Sequence, residues 1–430
     1  MSDKALPTHR IWIIDVTRGI AVLGIFVINV QDMAFPESLA FYLYQGSSEP
    51  KLDKYIGVLF EIFFYGKMQG LFAVLFGVSS ALIIDKLVRR DNAPLEIQFY
   101  FFRLLWLAAF GLLNAYALLW WGDVLFKYAV VGVLLFPLRL LSTKSLLAIL
   151  FVGFTLITTQ SFLEYTEILN LQERAVDIRS KRQRGQPLSV DEERLASDFQ
   201  EIQADLHPDF SFIDEEVEVK AGGYFRLFRY NAAQAFEEQT AIFVTEDFLE
   251  IFLYMILGLA LARFNFFAGL GFQRRVYIFI ALVGLGVGVL VHTWLNIGLY
   301  ENRLDPVGVR YYQLFFELGR LPFVLGYLSV IILAFRMSLL RSAGDYLAAV
   351  GRMALTNYLL HSIIGAAVFY GFGLMQFNRL VRSEVVLVIA LAWAFQIVGS
   401  VGWMTRFRYG PVEWLWRSLT YGMILPIRKR

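Results

Sequence analysis

The feature that most restricts this chain is a series of apolar runs, each roughly twenty residues long, recurring from one end of the sequence to the other. Twenty residues at ~1.5 Å each span the ~30 Å hydrocarbon core of a bilayer. Inside hydrocarbon every backbone N–H and C=O must be satisfied within the protein, which leaves helices and closed barrels. The runs show no two-residue alternation, so they read as helices. With 57% hydrophobic and only 18% charged residues, a soluble fold would have no place for so much apolar surface. The sequence predicts an all-α polytopic membrane protein with about ten transmembrane helices and a helical extracytoplasmic loop.

The expected spans lie at about 11–32, 58–84, 99–120, 123–141, 145–163, 247–265, 276–299, 313–337, 346–374 and 384–404. The second can also be read as a short interfacial helix, Leu52 to Tyr65, followed by a span that starts near Gly66. The third and fourth meet at a tight turn, Trp121-Gly122-Asp123. The first run is longer than the core of a signal peptide, and no small-x-small cleavage pattern follows it, so it is expected to stay. Four regions result: an N-terminal membrane half over 1–163, an acidic extracytoplasmic loop over 164–245, a C-terminal membrane half over 246–405, and an interfacial helix with a basic tail over 406–430.

Alternate loops differ in their cations. One set carries Lys86, Arg89, Arg90, Arg139, Lys144, Arg263, Arg274, Arg275, Arg336, Arg341, Arg406 and Arg408, with Arg10 and Arg428-Lys429-Arg430 on the same side. The other set is poor in cations and holds Asp32, Glu37, Glu49, Asp53 and Asp305. The positive-inside rule then puts both termini of this multi-pass protein in the cytoplasm. The long loop contains "DEERLASDFQ" and "FIDEEVEVK". It is expected to be helical around 171–184 and 190–206, either as a spacer between the halves or as a cap over an outward cavity.

The chain has no cysteine, which removes disulfides, thiolate nucleophiles and Cys-ligated metals. It has four histidines, too few for a His-rich site, and no metal or nucleic-acid partner is expected. No G-x-S-x-G elbow, P-loop or H-E-x-x-H occurs. "GLGVGV" at 284–289 imitates part of a dinucleotide fingerprint, but it lies inside a lipid-spanning run, where small residues serve close helix packing. Its glycines would also let two copies pair as a homodimer.

Ionisable groups inside spans cost several kcal/mol unless paired or hydrated, so each is a site candidate. Asp15 and Arg18 fall at the cytoplasmic end of the first span. Asn29, Lys67, Asn114, Asp123, Lys127, His292, Asn296, Glu317 and Arg320 fall in the outer half of theirs, as if around a hydrated cavity open to the outside. Asn357 and His361, four apart, share one face of the ninth. Each has a plainer reading. Lys67 and Lys127 can snorkel, Asp15–Arg18 and Glu317–Arg320 are i, i+3 pairs, and Asn114 can join two helices. His361 and His292 are the groups suited to proton transfer near neutral pH, whereas His9 and His207 lie on solvated segments. In "YGPVEWLWRSLTYG" Pro411 can start a helix with Glu413 and Arg417 four apart, which reads as a membrane-anchoring helix more than a substrate contact.

The blocks "DVTRGIAVLGIFVINV", "GKMQGLFAVLFGVSSAL", "WWGDVLFKYAVVGVLL", "VGRMALTNYLLHSIIGAAVFYGFGL" and "YGPVEWLWRSLTYG" resemble the YeiB family of bacterial inner-membrane proteins. More distantly the chain resembles the transmembrane acyltransferase superfamily that includes heparan-alpha-glucosaminide N-acetyltransferase, whose members also open with Arg-Gly at the first span. The resemblance implies transfer of an acyl group from a cytoplasmic acyl-CoA to an extracytoplasmic acceptor such as a glycan or lipid-linked sugar. Arg18 and Asp15 would face the donor. His361 or His292 would act as the base, oriented by Asp123 or Glu317, while Lys67 or Arg320 would stabilise the oxyanion. Asn29, Asn114 and Asn357 would help bind substrate. No permanently bound cofactor is expected, and the partners are membrane lipid, the acyl-CoA and the acceptor. The sequence departs from the pattern where the sugar acetyltransferases carry a histidine after the first span, since "NVQDMAFPES" has none. Asn114 also stands where many YeiB relatives have a histidine. The competing readings are a transporter or exporter of a small polar solute, and a scaffold without chemistry.

Overall fold

The structure, a computed structural model, describes residues 8–36, 50–88, 93–206, 210–268, 272–301, 305–336 and 340–429. Glu37, Glu49, Arg89, Arg90, His207 and Arg430 lie outside them. Among the described residues the only strand-like pairing is a bridge between Phe407 and Arg428, and the rest is helix and turn. Among the described residues seven helices are long and apolar enough to cross a membrane, and two shorter apolar helices accompany them. The chain is an all-α, multi-pass membrane protein.

The first half holds α1 (Thr8–Ala34), α2 (Lys51–Phe63), α3 (Lys67–Val88), α4 (Ala93–Leu112) and α5 (Leu125–Leu138). A π-helical turn, Leu113–Ala117, follows α4. Then α6 (Thr143–Gln183) runs unbroken for 41 residues, from an apolar span through residue 163 into the hydrophilic loop. The loop continues as α7 (Val190–Leu206), α8 (Phe210–Lys220) and α9 (Tyr224–Gln239). In the second half come α10 (Phe248–Arg263), α11 (Arg274–Glu301), α12 (Pro306–Arg336), α13 (Arg341–Arg352), α14 (Ala354–Phe369), α15 (Arg382–Arg406) and α16 (Pro411–Tyr421).

α10 is the centre. Every residue from Leu253 to Ala262 is buried, packed against α3, α5 and α6. A helix apolar on all sides belongs inside a bundle. α6, α11 and α15 are largely exposed along their apolar windows, the mark of a periphery facing lipid. α16 and both described chain ends lie at one face of the bundle, here the tail face. α8 and α9 cover the opposite one, the loop face, where Lys220 Nζ reaches Asp32 O at 3.4 Å, Asn231 Nδ2 donates to Leu119 O at 2.8 Å and Tyr224 OH to Ala117 O at 2.9 Å. The loop is therefore docked on the bundle rather than hung from it.

Two expected spans are interrupted. The second breaks at Phe64–Gly66, where Gly66 has φ +71°, a left-handed conformation that glycine adopts without a Cβ clash. α2 before the break buries Asp53 and exposes Leu52, Tyr55 and Leu59, so it lies along the loop face as an amphipathic helix. Its Asp53 Oδ1 accepts from Ser383 N at 2.6 Å and caps α15. The ninth breaks at Met353, between α13 and α14. α1 then crosses α13 at close range, and a Cβ on Gly351 would stand 1.8 Å from Asp15 O. In "GLGVGV", Gly284 and Gly288 are taken up inside the chain by Pro322 O and Phe323 of α12, and only Gly286 faces open space.

Gly351→Ala is expected to force α1 and α13 apart, at a cost of about 1–3 kcal/mol, while Gly399→Ala, which meets nothing within 4 Å, is neutral or mildly stabilising. Thermal unfolding of the two purified variants measures the difference, and equal midpoints would refute this account of the crossing.

Candidate functional site

A cavity of about 560 Å³ opens at the tail face between α1, α3, α4, α14 and α16. Its rim carries four arginines, Arg18, Arg103, Arg352 and Arg417, against two acids, Asp15 and Glu413. Arg18 donates to Asp15 Oδ1 at 3.0 Å and to Ser79 Oγ at 2.9 Å. The Arg103 guanidinium lies 4.1 Å from the Trp416 ring centroid, and Trp416 Nε1 donates to Arg103 O at 2.9 Å. Further in, Phe72, Leu75, Phe76, Leu104, Leu107 and Leu125 line an apolar interior. Its far wall is closed by Tyr128 and Tyr358, whose hydroxyls are already engaged: Tyr128 OH donates to Gln69 O at 2.9 Å, and Tyr358 OH accepts from Val124 N at 3.2 Å.

Glu413 organises the rim. Its Oε1 accepts from Leu355 N at 2.7 Å and Thr356 N at 3.0 Å, and its Oε2 from Thr356 Oγ1 at 2.6 Å. A carboxylate there meets the unpaired first-turn N–H groups and the positive end of the α14 dipole. This also explains the break at Met353, because the N–H groups that would have continued the ninth span are given to Glu413. Burial holds the Glu413 pKa above the usual carboxylate range, and the hydrogen bonds from Thr356 and Leu355 offset only part of that rise. The i, i+4 spacing to Arg417 is thus not the contact that matters, and α16 is a wall of the cavity rather than an anchor alone.

Of the expected site residues the cavity takes in Asp15 and Arg18. The others form separate buried groups nearer the loop face. Behind Tyr358, Asn114 Nδ2 donates to Asp123 Oδ2 at 2.8 Å and Ser362 Oγ to Asn114 Oδ1 at 2.7 Å, while Asp123 Oδ1 caps α5 through Phe126 N at 3.0 Å. His361, one turn beyond Tyr358 on α14, stacks on Phe26 at a centroid distance of 4.6 Å, and neither ring nitrogen has a hydrogen-bond partner among the described residues. Asn357 Nδ2 spans the break to Val350 O at 3.2 Å and meets Ser400 Oγ at 3.0 Å, a joint between helices.

A second group centres on Arg320, whose Nη1 pairs with Glu250 at 2.6 Å and Glu317 at 2.9 Å, and whose Nε donates to Gly66 O at 2.8 Å. Tyr254 OH donates to Glu317 Oε2 at 2.8 Å. Lys67 is fully buried, its ammonium donating to Glu61 O at 2.8 Å. His292 stands edge-on to Phe316 at 5.1 Å, and Asn296 Nδ2 turns to His292 O at 2.8 Å. A third group joins Lys127 to Glu238 at 2.6 Å and to Asp247, so Lys127 holds α5 to the loop instead of snorkelling. Asn29 is half-buried on α1. None of Asn29, Lys67 or His292 lines the cavity, so the polar residues expected around one outward cavity are divided among three clusters.

Arg103, Arg352 and Glu250 escaped notice in the sequence, which presents Glu413 and Arg417 as part of an anchoring helix and not as site residues. Arg103 and Glu250 carried a usable signal, a charge within an apolar run.

The family model "Protein of unknown function (DUF418)" matches residues 261–423. The chain is 27% identical to Uncharacterized protein YxaH of Bacillus subtilis (strain 168), over 100% of this chain and 98% of that protein. It is 28% identical to Uncharacterized protein YeiB of Escherichia coli (strain K12), over 95% of each. A shorter match, 28% identical, covers 24% of this chain and 29% of an uncharacterized 39.9 kDa protein in the amylase 3' region of Bacillus acidopullulyticus. No solved structure matches.

Removing Arg320 alone would leave the half-buried Glu250 and Glu317 side by side without their cation, at about 1–3 kcal/mol. Arg320→Met is therefore expected to unfold earlier than the triple variant Arg320→Met, Glu250→Gln, Glu317→Gln. Melting of both in detergent checks this, and a triple variant less stable than the single one would refute the pairing.

Proposed function

We propose that this chain, similar to YxaH and YeiB over nearly its whole length, is a membrane-embedded acyltransferase whose donor, an acyl-CoA, enters the arginine-rimmed cavity from the cytoplasm. In this reading the tail face is cytoplasmic and the loop face extracytoplasmic, which the positive-inside bias supports, and the membrane is the inner one. The observation that supports the reading is the cavity itself: guanidinium groups at its mouth suit phosphate oxygens, and an apolar interior suits a dry reaction site in which charge stabilisation is strong.

In this reading the acceptor, a hydroxyl or amine of a glycan or lipid-linked sugar, approaches from the loop face. Its oxygen or nitrogen attacks the thioester carbonyl, the new C–O or C–N bond forms, the C–S bond breaks, and the proton the acceptor loses ends on the CoA thiolate. His361 is the base best placed for that proton, one turn beyond the cavity's Tyr358, with the Asp123–Asn114–Ser362 chain alongside. His292 sits in the Arg320 group and serves the outer half. The acceptor's path between Tyr358 and the loop face is closed in this structure, where Asn231 is bonded to Leu119 O.

A second reading, transport or export of a small polar solute, draws on the interrupted helices at Gly66 and Met353, one in each half, since discontinuous helices at a buried site are common in transporters.

The test is thermal stabilisation of the purified protein by acetyl-CoA and free CoA. Stabilisation is expected, with at least a tenfold loss of apparent affinity in Arg18→Ala. In membrane vesicles, His361→Ala is expected to stop release of free thiol from acetyl-CoA while binding persists, and His292→Ala to retain release. Absence of stabilisation by either compound would overturn the reading in favour of transport.

A further inference from the structure

We infer that the acyl group carried into this cavity is short, a few carbons at most, and that Phe72, Leu107 and Leu125 set the limit. The inference rests on reading the cavity as an acyl-CoA site.

The argument is one of length. Along α3 the lining residues run from Ile83 at the rim to Phe72 at the roof, eleven residues of helix and so about 16 Å. They recur as Phe72, Leu75, Phe76, Ser79, Ser80 and Ile83, one face of the helix, so the slot runs along its axis. α4 runs the opposite way and shows the same gradient, with Phe99 and Arg103 towards the rim and Leu107 deepest. In coenzyme A, about thirteen single bonds separate the β-phosphorus from the sulfur. An extended chain advances roughly 1.2 Å per bond, by the same geometry that gives a peptide ~3.5 Å per three bonds. The arm is therefore about 16 Å long. With its phosphates at Arg352 and Arg417 on the rim, the sulfur arrives at the roof.

The chemistry of the walls follows the same order. The arm's two amides need hydrogen-bonding partners, since burying one without a partner costs several kcal/mol. Ser79 and Ser80 stand about one turn in from Ile83, and Ser79 already accepts from the rim's Arg18 at 2.9 Å. Beyond them the lining is apolar apart from Tyr128 and Tyr358, whose hydroxyls have partners already. The thioester reaches the roof with Phe72, Leu107 and Leu125 around it, and an acyl chain of more than a few carbons would meet their side chains. Leu107 is 4% and Leu125 3% exposed, both within the main core cluster, so neither has room to swing aside.

The experiment compares free, acetyl-, butyryl-, octanoyl- and palmitoyl-CoA in thermal unfolding of the full-length protein, below their micellar concentrations. For wild type, acetyl- and butyryl-CoA are expected to bind at least as well as free CoA, and octanoyl-CoA at least tenfold more weakly than acetyl-CoA. Leu107→Ala should bring octanoyl-CoA to within about threefold of acetyl-CoA. Leu125→Trp, which fills the roof, should weaken butyryl-CoA while leaving free CoA bound. Octanoyl- or palmitoyl-CoA binding wild type as tightly as acetyl-CoA would overturn the inference and leave the donor reading standing, as would variants that shift all acyl-CoAs alike. No binding of any of the five, free CoA included, would overturn the donor reading and this inference with it.

Discussion

The tail face of this protein depends on one carboxylate. Glu413 occupies the N-terminus of α14 with hydrogen bonds from Leu355, Thr356 and the Thr356 hydroxyl. Those N–H groups cannot then complete a helix with α13, so the chain breaks at Met353 and α13 turns against α1. The same residue fixes α16 across the bundle mouth, where Trp416 and Arg417 become walls. A charge-assisted cap of this kind is worth more than a neutral one. Here it sets the path of a span, the position of a terminal helix and the shape of a cavity together.

Much of the fold was legible because hydrocarbon allows so few alternatives. The apolar runs gave the helices, "WWGD" the tight turn, and Tyr65-Gly66 the division between α2 and α3. What stayed hidden was tertiary. Nothing near Met353 in sequence signals a break, because the residue that causes it is sixty positions away. The unbroken passage of α6 from span into loop was hidden for a related reason: its polar half is held by partners on other elements, such as Asp305, which accepts from Gln172 at 3.2 Å.

The candidate site was half legible. Asp15 and Arg18 stood out as charges in an apolar helix, and the structure places them on the cavity rim. The loop-face residues stood out equally, but sequence depth alone cannot tell one cavity from three clusters. Asn114, Lys127 and Arg320 lie on different elements and face different partners. Arg103 was overlooked amid "YFFRLLW", although its cation needs the Trp416 face that only the docked α16 supplies. Among the described residues Lys127 and Arg320 each meet two carboxylates, as the cost of desolvating an ion requires.

The layer formed by Phe72, Leu107, Leu125, Tyr128 and Tyr358 has an electrical meaning as well as a steric one. Polar groups approach it from both faces, Arg18 and Ser79 on one side, Asp123 and Arg320 on the other. The cavity brings solvent up to this layer from the tail face only, because Asp123 and Arg320 beyond it are buried, so a membrane voltage falls across the layer and the closed region behind it instead of the full bilayer. A neutral group crosses it without electrical work. Any proton that crosses it does so in a concentrated field, with work of about 2.3 kcal/mol per 100 mV, so the direction of the voltage bears on whichever chemistry links the two faces.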